Sequence, residues 1–447
     1  MKLSFLGGAR EVGRSCILVQ GMRNTLLDCG VKFGEKEEYP LLQREQASSL
    51  DKAVISHAHI DHSGYAPALF SMGFDKKVFL TKPTRDLMQL LLADYVKLSK
   101  EREGKPAFSE KNVSKLLQHS QMLEFGDEKG FGETGVRLHG AGHVLGSSMV
   151  ELSEEKRVLY TGDLNLRETR LLEGAATSLS AQVLVMESTY GSRKDKHPSI
   201  KAASQAFAEL IKKTLDNGGK VIIPTFAVGR GQEVLFTIES YMRSHAFPEV
   251  PIYLDGMVKK ALRIYRHNAV YLKREVQLRI LTSDDDPFKS EHYKVPETKD
   301  RKDVVEGGPC IILSTSGMLT GGPVLHYLKE LGNDSNNSMI LVGYQGEGTP
   351  GRALLDGAKE MEIDGQAYPI GLKVSQVPFS AHADHDQLVE FAKSVQGLEK
   401  VFVMHGERSK SDELAEDLEK QLNKSRKGVH ERKAEAIVPE LGSEHVV

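Results

Sequence analysis

Short apolar runs punctuate the chain, each closing in a polar or glycine-containing turn: 24–28 (NTLLD), 53–56 (AVIS), 158–163 (VLYTGD), 183–187 (VLVME), 374–379 (VSQVPF) and 401–405 (VFVMH). Their apolar residues do not alternate with polar ones, which predicts strands covered on both faces. Helical periodicity appears between some of them, as at 84–100 (TRDLMQLLLADYVKLSK). The middle of the chain alternates more regularly. A helical pattern at 199–216 precedes a strand at 220–224, a helix from about 231, and strands at 251–254, 309–313 and 338–343. Such alternation predicts a compact parallel-sheet domain within an α/β protein. Runs that end in ligand-type residues flank this middle part on both sides. The pattern therefore predicts an insertion, with a first domain at 1–195, an inserted domain at 196–368 and a return to the first domain at 369–447.

Composition narrows the class. The chain has 447 residues, 40% hydrophobic and 27% charged, with a formal net charge of -3, ordinary for a soluble globular protein. Any nucleic-acid surface must be local, since the whole molecule is not basic. The 3 cysteines, Cys16, Cys29 and Cys310, are sparse and form no CxxC pair, so neither a disulfide framework nor a thiolate zinc site is expected. No signal peptide or apolar run of membrane length is evident. A cytoplasmic protein is the simplest expectation.

The chemistry concentrates at strand ends. Residues 57–62 read HAHIDH, Asp28 ends one run, His143 follows a Gly-Ala-Gly turn, Asp163 ends another run and His405 a further one. Strand ends can deliver ligands to one crevice. His57 and His59, two apart, can point the same way from an extended segment. Asp61 and His62 fall in the following turn and can face a second ion. Imidazole and carboxylate without thiolate suit zinc, with manganese or iron as alternatives. Two ions about 3.5–4 Å apart activate water and stabilise both attacking and leaving oxygens. Asp163 is the candidate bridge. Asp28 is placed behind the ligands, orienting a histidine.

These residues resemble the metallo-β-lactamase superfamily. Glu187 in ESTYG, His382 in FSAHAD and His405 in VMHGE look like the three further motifs of the β-CASP nucleases, and STSGMLTGGP (314–323) and GYQGEGTPGR (343–352) are similar to the cleavage and polyadenylation specificity factor branch. The likeness is to short archaeal or bacterial members that lack N-terminal KH domains, since the chain opens directly on its first strand. The resemblance implies an αββα sandwich with an inserted β-CASP domain. It implies one zinc on His57, His59 and His143, another on Asp61, His62 and His405, and Asp163 between them. It makes His382 the general acid and Glu187 the carboxylate that holds it, since such a partner favours a histidine's protonated, donating form.

The implied activity is hydrolysis of single-stranded RNA by a metal-bridged hydroxide, endonucleolytic and also 5′-to-3′ exonucleolytic, in RNA processing or decay. The alternatives are a DNA-directed or other hydrolase of the same fold, or an inactive RNA-binding subunit. Ser316, Gly317, Arg230 and Arg352 are candidates for phosphate contact. Lys259, Lys260, Arg263 and Arg266 predict a basic helical face. Tyr190 and Tyr344 are candidate stacking surfaces. Homodimerisation is expected through the C-terminal segment, where 434–439 alternates as a strand would.

Overall fold

The computed structural model describes residues 1–34, 36–102, 107–282, 286–346, 348–424 and 433–447. Glu347, within the glycine-rich motif at 343–352, lies outside them. The chain forms two compact units, the first from Met1–Glu168, Leu172–Lys196 and His382–Val447, the second from Thr169–Leu171 and His197–Ala381.

The first unit holds two seven-stranded sheets. One begins at the edge with Glu444–Val446 and continues through Lys2–Gly7, Cys16–Gln20, Asn24–Leu27, Lys52–Val54, Lys77–Leu80 and Ser120–Met122. The other runs from Glu435–Ile437 through Lys400–Met404, Val183–Glu187, Arg157–Tyr160, Ser148–Ser153 and Thr134–Gly140 to Glu128–Phe131. Phe5, Ile17, Leu27 and Val54 from the first sheet share a core with Val136, Val150, Val185 and Phe402 from the second. Each such buried side chain contributes roughly 1.5–3 kcal/mol. On its other face the second sheet offers Leu159, Leu184, Val401 and Val403 to Leu388 and Phe391 of helix His385–Ser394 and to Leu414 and Leu418 of helix Arg408–Asn423. Helices Lys82–Arg102 and Glu110–His119 pack on the first sheet. Burial from both sides explains why Val183–Glu187 shows no alternation: all of it is buried. The architecture is the αββα sandwich.

The second unit is built on a six-stranded sheet whose neighbours all run parallel, in the order Tyr293–Lys294, Ile252–Asp255, Ile311–Ser314, Val221–Pro224, Ser338–Leu341 and Lys373–Gln376. Helix Ile200–Asp216 opens on Ser199, whose hydroxyl accepts from the Ala202 N–H at 3.2 Å, a usual way to satisfy a helix's first amides. The unit extends past residue 368 to Ala381 because Lys373–Gln376 pairs with Ser338–Leu341 as its edge strand. That strand stops ahead of Pro378, which has no N–H for a ladder. Near the C-terminus, Glu435–Ile437 pairs in parallel with Lys400–Met404 of its own chain, so one side of its ladder is already filled.

Candidate metal centre

The HAHIDH segment leaves strand Lys52–Val54 and turns into the short helix Ile60–Ser63. It lies so close to Gly30 that a Cβ there would sit 1.7 Å from the Asp61 carbonyl oxygen. Only glycine permits that approach. His59 Nδ1 lies 3.2 Å from His57 Nε2 and 3.1 Å from His143 Nε2. Asp163 Oδ2 is 3.5 Å from both His57 Nε2 and His143 Nε2. A second group adjoins it. His62 Nε2 is 3.2 Å from His405 Nε2, which is 3.4 Å from Asp61 Oδ2. Asp163 Oδ1 reaches this group, 3.2 Å from His62 Nε2 and 3.3 Å from His405 Nδ1. Asp163 thus turns one oxygen to each group. All seven ligand-type residues singled out in the sequence meet here.

Behind them stands Asp28, buried and in left-handed backbone at φ 55°. Its Oδ1 accepts from the Ser56 N–H at 2.7 Å. Its Oδ2 accepts from the Ser56 hydroxyl, the Tyr160 hydroxyl and His62 Nδ1, each at 2.7 Å. These contacts assign tautomers. His62 donates through Nδ1, so Nε2 is the ring nitrogen turned to the cluster. Ser56 spends its proton on Asp28, so at 3.0 Å it accepts from His57 Nδ1, again freeing Nε2. Sequence reasoning did not pick out Ser56 or Tyr160. Ser56 carried a signal in standing directly before His57. Tyr160 carried none beyond ending an apolar run.

Burial dominates the electrostatics. It pushes the His57 imidazole well below its usual range, and His62 adds to the effect, so His57 is a neutral donor. Burial would also lower His62, but Asp163, Asp61 and the Asp28 contact outweigh it and hold it well above the usual range. Burial would raise Asp163, yet the imidazoles of His62, His405 and His382 keep it ionised, well below the usual carboxylate range. The ionised Asp163 thus places negative charge between the two groups of imidazoles. Asp163 Oδ1 is buried and makes no hydrogen bond despite its imidazole neighbours. An orphaned carboxylate oxygen, converging imidazole nitrogens and Asp61 form a donor set that fits metal cations.

His382 stands beside this cluster. Its Nδ1 lies 2.9 and 3.0 Å from the two carboxylate oxygens of Glu187. Glu187 is buried and is held by the Leu164 N–H, which donates to Oε1 at 2.7 Å. The other ring nitrogen, Nε2, lies 3.9 Å from Asp163 Oδ2. His382 is 19% exposed at its side chain, whereas Glu187 is 1%, so a fixed carboxylate orients an imidazole that solvent can reach. The Tyr190 ring sits 6.0 Å from that of His382 and carries the Lys410 ammonium over its face.

Ser316, Gly317, Arg230 and Arg352 all belong to the second unit. Gln345 Nε2 donates to the Gly317 carbonyl at 3.0 Å, and the Gly351 N–H to Met318 O at 3.3 Å, which ties the two glycine-rich motifs together. Arg352 Nε pairs with Asp356 at 2.9 Å. Arg230 opens helix Arg230–Arg243 behind Gly229. Phe226, not singled out from the sequence, stands just past strand Val221–Pro224 and is 37% exposed. A Cβ on Gly317 would meet the Phe226 amide nitrogen at 3.0 Å, and one on Gly343 would meet its ring at 3.5 Å. The two glycines leave this aromatic face open.

Comparisons with known proteins agree on the lineage. Residues 9–214 match the metallo-beta-lactamase superfamily, 231–354 the Beta-Casp domain, and 367–433 the Zn-dependent metallo-hydrolase RNA specificity domain. Transcription termination factor FttA of Methanothermobacter thermautotrophicus is 39% identical over 93% of this chain and 69% of its own length. The RNase J-like protein of Methanocaldococcus jannaschii is 39% identical over 94% of this chain and 96% of its own. A crystal structure of a protein of unknown function from Enterococcus faecalis shares the fold, with a TM-score of 0.59 at 13% identity over 100% of this chain and 99% of that one. The chain belongs to the β-CASP branch of the metallo-β-lactamase superfamily and is a metal-dependent hydrolase of the nuclease class.

Proposed function

We propose that this chain hydrolyses phosphodiester bonds of single-stranded RNA at a two-zinc centre, within chains and from 5′ ends, in RNA processing or decay. His57, His59 and His143 would hold one ion, Asp61, His62 and His405 the other, and Asp163 both. Such ions, when bound, activate water and offset charge on the phosphoryl oxygens. The protein's own part is positional. Asp28 and Ser56 fix the ligand tautomers. Glu187 anchors Nδ1 of His382, so that Nε2 can give a proton to the departing ribose oxygen. The observation that carries this reading is the Glu187–His382 pair beside a doubly faced Asp163: an acid next to a metal cluster suits expulsion of an alkoxide. In the second unit, Phe226 offers a base-stacking face, and the Ser316-Gly317 loop and Arg230 offer groups for phosphates. Arg352, with Asp356 already on its guanidinium, is the weaker phosphate candidate. The names of these relatives, a transcription termination factor and an RNase J-like protein, support RNA as the polymer.

The test is cleavage of a 5′-labelled single-stranded RNA beside matched DNA, with wild type, Asp61→Ala and His382→Ala in parallel. Internal fragments on RNA, lost in both variants, are the expected result. Labelled mononucleotide alone would restrict the activity to the 5′ end. Equal cutting of DNA would overturn the RNA assignment. No cutting by fully metallated wild type would leave an RNA-binding subunit as the better reading.

A further inference from the structure

Within the second unit, helix Val258–His267 is amphipathic. Val258, Ala261, Leu262 and Tyr265 are buried, while Lys259, Arg263 and Arg266 recur on another face at the three- and four-residue spacings that align side chains along a helix. That cationic face forms one wall of a cavity of about 590 Å³. The facing wall is the segment from Phe288 to Val295, which supplies Phe288, Lys289 and Tyr293. Asp286 ties the walls together: it pairs with Arg266 Nε and accepts from the Phe288 N–H at 3.0 Å. The Tyr293 hydroxyl donates to the Pro287 carbonyl at 3.1 Å, and the Ile252 N–H to His292 O at 2.8 Å, so the segment is fastened to itself and to the sheet.

Among the described residues, positive charge in the lining of this cavity outweighs negative. Arg266 has Asp286, but Lys259, Arg263 and Lys289 have no carboxylate partner among the described residues. Glu291 is the acidic side chain of the lining. Like charges at such helical spacing repel, a cost that an anion in the cavity would reverse. Beside Ser290 and His267, the rest of the lining is apolar or aromatic, through Leu254, Leu262, Phe288 and Tyr293. Cations beside an apolar, aromatic floor suit a ligand with phosphate at one end and a flat ring at the other.

We propose that this cavity is a binding site for a phosphorylated nucleoside, separate from the metal ligands, which all belong to the first unit. Its phosphates meet Lys259, Arg263 and Lys289, and its ring lies along the Phe288–Tyr293 wall. The occupant is either a free nucleotide or one nucleotide of an RNA strand. The site does not rest on the nuclease reading, since none of its residues takes part in that chemistry.

Calorimetric titration of the full chain with ATP, and separately with a short single-stranded RNA, tests this. Metal is chelated in both arms so that nothing is cleaved. Arg263→Ala and Lys289→Ala alter exposed side chains, and unchanged melting curves show that each folds. Lys260→Ala is the control, because Lys260 shares the helix but not the cavity lining. Each test variant is expected to weaken binding about tenfold, the loss of one charge-assisted contact, while Lys260→Ala binds as wild type does. That pattern with ATP identifies a free nucleotide, and with RNA alone a nucleotide of the strand. No saturable binding of either probe, or equal binding by wild type and both test variants, overturns the proposal.

Discussion

In the first unit the polar side chains at strand ends are buried: Asp163 is 2% exposed, Glu187 1% and His62 0%. In the second unit the strand ends also hold buried polar groups, Asp255 at 4% and Ser314 at 0%, but beside them lie glycines and an aromatic that is 37% exposed, Phe226. Ligands of α/β sheets gather beyond strand carboxyl ends, and the two units equip those ends differently. Positioning charge for chemistry needs low dielectric and fixed partners, because unsolvated groups then interact strongly and move little. Holding a polymer needs reachable faces and backbone, which glycines supply. The first unit also accepts strain for precision: Asp28 and His405 both sit in left-handed backbone, at φ 55° and 51°. Surrounding structure must hold such residues, and they cluster at functional sites.

The contrast can be broken most severely at Glu187. Glu187→Gln keeps an acceptor for the Leu164 N–H but removes the charge that faces His382. Cleavage is expected to fall about 10²–10⁴-fold, the usual worth of a positioned acid. Bound metal, measured by elemental analysis, stays at the wild-type level. Metal lost in proportion to activity would show that Glu187 serves the ligand cluster instead. Next comes Asp28→Asn, which weakens the hold on His62 and Ser56 together. Metal affinity, read by competition with a chelator, is expected to drop about 10–100-fold, with activity returning when metal is in excess.

In the second unit the expected effects are smaller and concern the substrate. Phe226→Ala should raise KM for single-stranded RNA about tenfold, within the usual worth of one base stacked on an aromatic, and leave kcat unchanged. A drop in kcat alone would assign Phe226 to packing between glycine loops. The smallest effect lies away from both sites. The His139 hydrogen bond, at 2.8 Å, lowers the Glu151 carboxyl below its usual range; burial opposes it, and Arg157 and Arg137 assist. A depressed carboxylate adds stability that is present above the unfolded value of about 4.3 and is lost as pH falls through the lower folded value. Glu151→Gln should therefore cost at most about 1 kcal/mol at pH 7, and its melting curve should converge on that of wild type as pH drops below about 4. A constant gap at all pH values would mean that shape rather than charge matters there.

Several features could be read directly from the chain. Unalternating apolar runs marked strands buried on both faces at Val183–Glu187, because the period of an element is local, whereas the run at 374–379 forms the half-exposed edge strand Lys373–Gln376. The ligand-type residues stood out because imidazoles and carboxylates rarely crowd strand ends without a reason, and HAHIDH packs four of them into six positions. Other features were decided by tertiary structure alone. Tyr160 joins Asp28 across a separation of 132 residues, and no local pattern marks that partner. No local pattern marks Phe226, and only its setting between Gly317 and Gly343 leaves it open. The basic residues of helix Val258–His267 look like an ordinary solvated face until they are seen to line an open cavity together with the segment from Phe288 to Val295. The extent of the second unit turned on a strand pairing at Lys373–Gln376. The physical reason is the same in each case. A residue's chemistry and the period of its element are local, whereas the hydrogen bond it makes, the face it leaves exposed and the charge it meets are set by chain segments that only folding brings together.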